Sequence, residues 1–520
     1  MSAGIASFVP RPLPLRLPRL CVAIAATSAA NMIERAESMI RDNPFIEFRL
    51  DYLKSPGLAL PPIRRFLSYH PAAIAIATCR RTVNGGKFRG SLAAEVDILA
   101  KAAASGCRLL DLEIQSASAM KPEDLERLRD QAALILSSHD FRATRKIEHT
   151  FARMQQFPAD FYKIVTTATT LYDNVAMVKF LEHTRNTHSV IGVCMGEQGI
   201  ISRVLGLRAG SMWTFAAASR GEETAPGMVA AKTLREVYRI EQLDAATKVY
   251  GVAGDPVAHS LSPQMMNAAF RRENVNAVYL ALHAKTLADL LKCVREIPIH
   301  GLSVTMPYKQ EIVQHLDNSD ALTQKTGACN TVVRAQDGRL YGFNTDVAGV
   351  VQPLEQRMQL PGATVLVLGA GGAARAAVFG LKQRGAEVYI LNRTPAPAQK
   401  LARQAKAKSI KRSDLKKLSF DVIINATPVG MSGKTSPLQE KEIRAKHVLD
   451  MVYSEAETRF VRLARAQGAS VIPGTEMFVY QGARQFEIWT GKPAPLAEMQ
   501  HEVRATLAAR ARNGDNHKNK

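Results

Sequence analysis

Eight short apolar runs between residues 20 and 240 constrain this chain more than any other feature of its sequence. They are CVAIAAT, PFIEFRLDYL, AAIAIATC, CRLLDLEI, AALILSSHD, FYKIVTTA, SVIGVCM and MWTFAAA. Amphipathic stretches such as LAAEVDILAKAAASG and YDNVAMVKFLEHTRN separate them. Near-continuous apolar strands that alternate with helices pair in parallel and are covered on both faces. Eight such units fit a (β/α)8 TIM barrel; a doubly wound open sheet is the other arrangement the pattern allows. Polar residues gather at the C-terminal ends of the runs, where a barrel carries its active site.

A chain of 520 residues exceeds what one core can organise. The second half divides again. Residues 249–350 form a small α/β unit rich in Ser, Thr and Asn, completed by 476–505. Residues 351–475 read as strand VLVLG, glycine turn, helix AARAAVFGLKQRG and strand EVYILNRT, a Rossmann-type βαβ unit. The expected organisation is a disordered extension (1–18), a barrel (19–240), a polar linker (241–248), these two α/β domains, and a disordered tail (506–520).

Composition narrows the function. The formal charge of +21 invites a nucleic-acid or membrane partner. Yet no aromatic-plus-basic interleaving and no long Lys/Arg run accompanies it, so a basic surface suited to anionic small molecules is expected instead. No apolar stretch reaches the roughly 18–20 residues of a membrane span. The N-terminal PRPLPLRLPRL is broken by proline and arginine, unlike a signal peptide. The six cysteines show neither zinc nor disulfide spacing, so no metal and a cytoplasmic location are expected. Association into a homo-oligomer is left open.

Glycines carry the strongest local signal. Gly369, Ala370, Gly371, Gly372 and Ala373 follow a strand and open a helix, a turn that lets backbone approach a pyrophosphate. The next strand ends in Asn392-Arg393-Thr394. An arginine here, where an NAD site has an acid, suits the 2′-phosphate of NADP. Further motifs run in order: HSLSP (259–263), SVTMPYK (303–309), GACNT (327–331), GFNTDVAG (342–349), NATPVGM (425–431), DMVY (450–453) and GTEMFVYQ (474–481). Over 248–505 the chain resembles the shikimate dehydrogenases. That resemblance implies carboxylate binding by Ser260 and Ser262, ring-hydroxyl binding by Thr305, Asn330 and Gln481, and closure of the pocket by Tyr453. Lys309 and Asp346 would be the reacting pair, relaying the alcohol proton while hydride moves to or from NADP. Asn425, Thr427, Met451, Gly474 and Met477 would line the cofactor cleft. Ser303 stands where many relatives have Asn.

The first half carries EFRLD (47–51), TCR (78–80), Gly85-Gly86, DLE (111–113), SHDF (138–141), YKI (162–164), ISR (201–203) and APG (225–227). It resembles the type I 3-dehydroquinate dehydratases. The central residue would be Lys163. A lysine inside an apolar strand is costly to bury charged, which favours a neutral amine able to attack a ketone and form an imine. His139 would move the protons of the elimination. Arg203 would clamp the carboxylate, Glu47, Arg49, Arg80 and Thr224 would contact the substrate, and Glu113 would support Lys163 or the imine. Three positions depart from the family: Asn84 for Glu, Met228 for Gln, and Ala23 for Ser.

Together the halves imply consecutive steps. 3-Dehydroquinate loses water through a lysine Schiff base, and 3-dehydroshikimate is then reduced to shikimate with NADPH. The alternatives are a barrel kept only as a scaffold beside an active dehydrogenase, and a basic nucleic-acid-binding protein.

Overall fold

The computed structural model describes Leu13 and residues 16–431, 434–452 and 457–518. The chain falls into two compact units. One runs to Thr247 and takes in Leu282–Ile297; the other comprises Lys248–Ala281 and the chain from Pro298 onward.

The first unit is built on β1 (Leu20–Ile24), β2 (Phe45–Arg49), β3 (Ile74–Thr78), β4 (Leu109–Glu113), β5 (Ala133–His139), β6 (Phe161–Thr167), β7 (Val190–Met195) and β8 (Thr214–Ala217). They form one parallel sheet in the order β7-β6-β5-β4-β3-β2-β1-β8. At the seam between β7 and the start of β8, the Met212 N–H donates to the Val190 carbonyl at 2.9 Å. The sheet therefore nearly closes into the expected barrel, and the open-sheet alternative is not adopted. Helices between the strands start on local caps: Ser28 and Ser91 accept from the N–H groups of Asn31 and Ala94.

Strand periodicity divides the barrel interior into two layers. Side chains two apart share a face. The N-terminal layer is apolar: Cys21, Phe45, Ile76, Leu109, Ile135, Phe161, Ile191 and Trp213 belong to one cluster. Trp213 is fully buried with its ring edge-on to Phe45 (5.2 Å) and Phe161 (5.0 Å). Two residues further along, the same faces carry Glu47, Thr78, Asp111, Ser137 and Lys163, all buried. The runs thus read as apolar while β2 to β6 each deliver one polar side chain to a common level.

Two expectations for the termini need correction. Leu13 and Leu17, placed in a disordered extension, pack against the apolar floor cluster, because two leucines there remove apolar surface from water. The tail from residue 506 continues a helix, Leu496–Lys518, whose RATLAARAR stretch consists mostly of strong helix formers. The linker is also a packed turn: Leu243 and Thr247 are buried, and Arg19 donates to the Leu243 carbonyl at 2.6 Å.

The second unit holds two sheets. β9 (Lys248–Gly254), β10 (Ala277–His283), β11 (Ile299–Val304), β12 (Asn318–Ser319), β13 (Thr331–Arg334) and β14 (Leu340–Phe343) run in the order β10-β9-β11-β13-β14-β12. β15 (Thr364–Leu368), β16 (Glu387–Leu391), β17 (Lys408–Ser409), β18 (Phe420–Asn425), β19 (Ala445–Asp450) and β20 (Ser470–Ile472) form a parallel sheet in the order β17-β16-β15-β18-β19-β20. Strand order reverses between β15 and β18, the switch point at which open α/β sheets bind ligands. Alternate residues of β15 feed two cores, Val365 and Val367 one, Leu366 and Leu368 the other, so both faces are covered.

Trp213→Ala removes the largest floor side chain from a site with no solvent access. The barrel should lose about 3–5 kcal/mol, read as a lower denaturant midpoint by circular dichroism.

Candidate active sites

The polar level of the barrel holds a chain of buried ion pairs. Lys163 Nζ lies 2.8 Å from Asp111 and 3.9 Å from Glu47, and 4.0 Å from the centre of the Phe215 ring. The amine is therefore ion-paired rather than wrapped in apolar side chains, contrary to the expectation from FYKIV. The strand order explains this: β4 and β6 flank β5, and their inward positions converge. Arg80 bridges onward, reaching Asp111 at 2.7 Å and Glu113 at 3.2 Å. Glu113 then meets His139: Nδ1 is 2.8 Å from one carboxylate oxygen, and the His139 backbone N–H donates to the other at 3.0 Å. A carboxylate only accepts, so Nδ1 carries the hydrogen and Nε2 keeps its lone pair. Glu113 thus supports His139 rather than Lys163.

Charge in this network follows from burial set against neighbours. Burial opposes the Asp111 charge, yet Lys163, Arg80 and His139 outweigh it and hold its carboxyl well below the usual range. For Glu113, burial is likewise outweighed by His139 and Arg80, which keep it below its ordinary value. Burial and the Arg80 charge push His139 down, only partly offset by Glu113. A histidine so placed stays neutral, and hence able to accept a proton, below its ordinary range.

The arginines separate into two kinds. Arg49 makes a two-pronged pair with Asp51 at 3.0 and 2.9 Å, and Arg80 is taken up by Asp111 and Glu113. Arg203 has no acid. It is 2 % exposed, its one hydrogen bond runs to the Phe215 carbonyl at 3.2 Å, and Nε has no partner. Burial pushes its guanidinium down to about 10. An unpaired buried guanidinium is a seat for an anion, and Phe215 joins it to Lys163.

Loops close around these groups. The Phe141 ring stacks on His139 at 5.8 Å while remaining 50 % exposed. Gly227 adopts a positive φ, and a Cβ there would lie 2.1 Å from the Gly196 carbonyl oxygen. Only glycine lets the APG turn settle on β7 this closely. On the same loop, Thr224 Oγ1 is 3.5 Å from Met228 Sδ. Asn84 faces away, donating to Ser116 at 3.2 Å, and Ser116 donates to Glu95 at 2.7 Å.

The second site lies in the other unit. Lys309 Nζ is 2.6 Å from Asp346. Asn330 donates to the other Asp346 oxygen at 2.7 Å and lies 3.5 Å from Gln481. The approach depends on Gly349: a Cβ there would meet the Met477 carbonyl at 2.7 Å, so the helices Asp346–Glu355 and Gly474–Thr490 pack nearly backbone to backbone. Ser260 Oγ accepts the Ser262 N–H at 3.2 Å, and Thr305 N–H bonds the Ala253 carbonyl at 3.0 Å. Tyr453 lies outside the described residues.

Beside this pair is the glycine turn. Gly369 has φ +110°, closed to most side chains, and a Cβ on Gly371 would project into open space. The helix Gly372–Gln383 starts here without a side-chain cap, leaving its first N–H groups available to an anion. Arg393 and Thr394 are exposed, and Asn392 donates to the Thr394 carbonyl at 2.8 Å, shaping the turn. This cradle fits a dinucleotide phosphate. Asn425 is fully buried and does not line the cleft; it braces Thr427 (2.7 Å) and Asp450 (2.9 Å). A Cβ on Gly474 would lie 2.8 and 2.7 Å from the Asp450 and Val452 carbonyl oxygens, so glycine permits this close approach, and Met451 packs on the core of the nucleotide sheet.

Some residues in these networks escaped the reading of the sequence. Asp111 is the partner of Lys163; its spacing of two from Glu113 on a strand was the available signal. Gln485, one helical turn beyond Gln481, accepts from Ser303 at 2.7 Å and donates to Thr331 at 3.0 Å. Tyr279 donates to Ser303 at 2.5 Å, so Ser303 is held at both ends.

Family models match in the same order as the sheets. Type I 3-dehydroquinase covers residues 20–245, the shikimate dehydrogenase substrate binding domain 252–332, shikimate / quinate 5-dehydrogenase 353–448, and the shikimate 5′-dehydrogenase C-terminal domain 474–504. The chain is 33% identical over 501 residues to the bifunctional 3-dehydroquinate dehydratase/shikimate dehydrogenase, chloroplastic, of Arabidopsis thaliana, covering 92% of this chain and 82% of that one. It is 38% identical over 275 residues to the shikimate dehydrogenase (NADP(+)) of Pyrococcus furiosus, covering 52% of this chain and 99% of the relative. A solved shikimate 5-dehydrogenase from Thermus thermophilus, in complex with NADP(H) and shikimate, is 36% identical with a TM-score of 0.47, over 50% of this chain and 99% of that one. With its barrel and its dehydrogenase half both matched, this chain belongs to the bifunctional 3-dehydroquinate dehydratase/shikimate dehydrogenase family.

Proposed function

We propose that this chain catalyses two consecutive steps, dehydration of 3-dehydroquinate to 3-dehydroshikimate and reduction of that product to shikimate with NADPH. What carries the reading is a buried lysine amine joined through Phe215 to a buried arginine that has no acid of its own. An anionic ketone satisfies both.

In the barrel, Arg203 holds the substrate carboxylate, while Glu47, Arg49, Arg80 and Thr224 shape the wall around its hydroxyls. Lys163 condenses with the ketone, releasing water and forming an imine. His139 Nε2 removes a proton from the carbon beside the imine carbon. It then protonates the departing β-hydroxyl, which leaves as a second water. Hydrolysis of the imine consumes one water and frees both product and amine.

In the dehydrogenase half, Ser260 and Ser262 take the carboxylate, and Thr305, Asn330 and Gln481 take ring hydroxyls. Lys309 holds the proton at the carbonyl oxygen, and Asp346 positions Lys309. Bound NADPH supplies the hydride. Gly369, Ala370, Gly371, Gly372 and Ala373 hold its pyrophosphate, Asn392, Arg393 and Thr394 its 2′-phosphate, and Thr427, Met451 and Gly474 border the remainder. Tyr453 belongs to the same proposal. Having both activities on one chain raises the local concentration of the intermediate. Among the described residues, no helix is long and apolar enough to cross a bilayer. Six buried free thiols suit a reducing cytoplasm.

Given dehydroquinate and NADPH, Lys163→Ala should neither lose water nor trap an adduct with borohydride, yet should still oxidise NADPH with dehydroshikimate. Lys309→Ala should dehydrate normally, with NADPH oxidation reduced by about 10³-fold. Arg203→Leu separates stability from binding. Removing an unpaired buried charge should raise barrel stability by about 1–4 kcal/mol in denaturant titrations. The dehydratase KM should rise by about 10²-fold.

A further inference from the structure

We propose that Glu113 is the positioning residue of the dehydratase half: it clamps His139 in the one tautomer and orientation that turn its Nε2 toward the substrate. The inference rests on the assignment of His139 as the proton-transferring group.

The argument is geometric. Glu113 holds His139 at two points, the backbone N–H at 3.0 Å and Nδ1 at 2.8 Å, so one carboxylate fixes both the strand end and the ring. The carboxylate is itself pinned. Ser137 Oγ lies 3.0 Å and Arg80 Nε 3.2 Å from the oxygen that meets Nδ1. It is 2 % exposed, so water does not compete for these contacts, the Arg80 one being an ion pair. Asn84 cannot substitute, because its amide is turned to Ser116. Phe141 stacks on one face of the ring. An imidazole held at Nδ1 and along its plane is left with Nε2 as its one free nitrogen.

The charges around the imidazole make the role measurable. Glu113 favours the protonated ring, whereas Arg80 from the end of β3 and Lys163 from β6 oppose it. Asp111 from β4 is paired with both of those cations. On β5 itself, the neighbouring Asp140 accepts from the Arg142 and Ala143 N–H groups. Neutralising Glu113 therefore leaves the opposing cations in place, and the ring should lose its proton at lower pH than before.

The test compares full-length wild type with Glu113→Gln and Glu113→Asp, using dehydroquinate. In E113Q, kcat should fall about 10–100-fold with KM changed less than threefold, and the acid limb of kcat/KM should move to lower pH. E113D should recover part of kcat. Borohydride should still trap the adduct at Lys163 in both variants, which also reports that the barrel is folded. A kcat within twofold of wild type, or an acid limb that stays or moves up, overturns the proposal. Loss of the adduct in both variants would assign Glu113 to holding the barrel together and overturns it too. Absence of an adduct in wild type overturns the lysine reading along with this one, so the two failures are distinguishable.

Discussion

The barrel half depends on one buried sequence of charges: Lys163, Asp111, Arg80, Glu113, His139. Each charged member would be costly to bury alone and is tolerated because its neighbours oppose its charge, while the neutral His139 ends the row as a hydrogen-bond partner of Glu113. The chain crosses four strands, β3 to β6, so the pairing also locks their relative register. The Lys163 amine and the His139 imidazole are thereby held through the same two acids and one arginine.

Against this background the isolation of Arg203 has meaning. Among the described residues, the barrel supplies acids to Arg49 and Arg80 but none to Arg203. The cost of burying that charge is met by one neutral acceptor, the Phe215 carbonyl, rather than by a carboxylate. The same economy governs the second unit, where Asp346 is shared by Lys309 and Asn330, and where Gly349 brings the helices carrying Asp346 and Gln481 together.

Much of this was legible in the chain. The apolar runs foretold eight strands because parallel strands covered on both faces have few other compositions. The glycine motif foretold the tight turn and the helix start at Gly372 because left-handed backbone restricts residue choice locally. What could not be read was who pairs with whom. Asp111 and Lys163 are 52 residues apart, and nothing in either neighbourhood names the other. Glu113 was assigned to the wrong partner for the same reason. Asn425 looked like a cleft residue because it ends a strand, but its side chain turns inward to Asp450, a contact set by the β18–β19 pairing. The packing of Leu13 and Leu17 and the helical tail were missed because a polar or proline-rich composition hides a few well-placed apolar contacts.

The packed floor of the barrel has its own consequence. With Trp213 and the surrounding aromatics filling the lower half, and Leu13 and Leu17 set against the same cluster, the chamber is a cup rather than a tunnel. Whatever enters must depart by the same lip, so filling and emptying exclude each other in time.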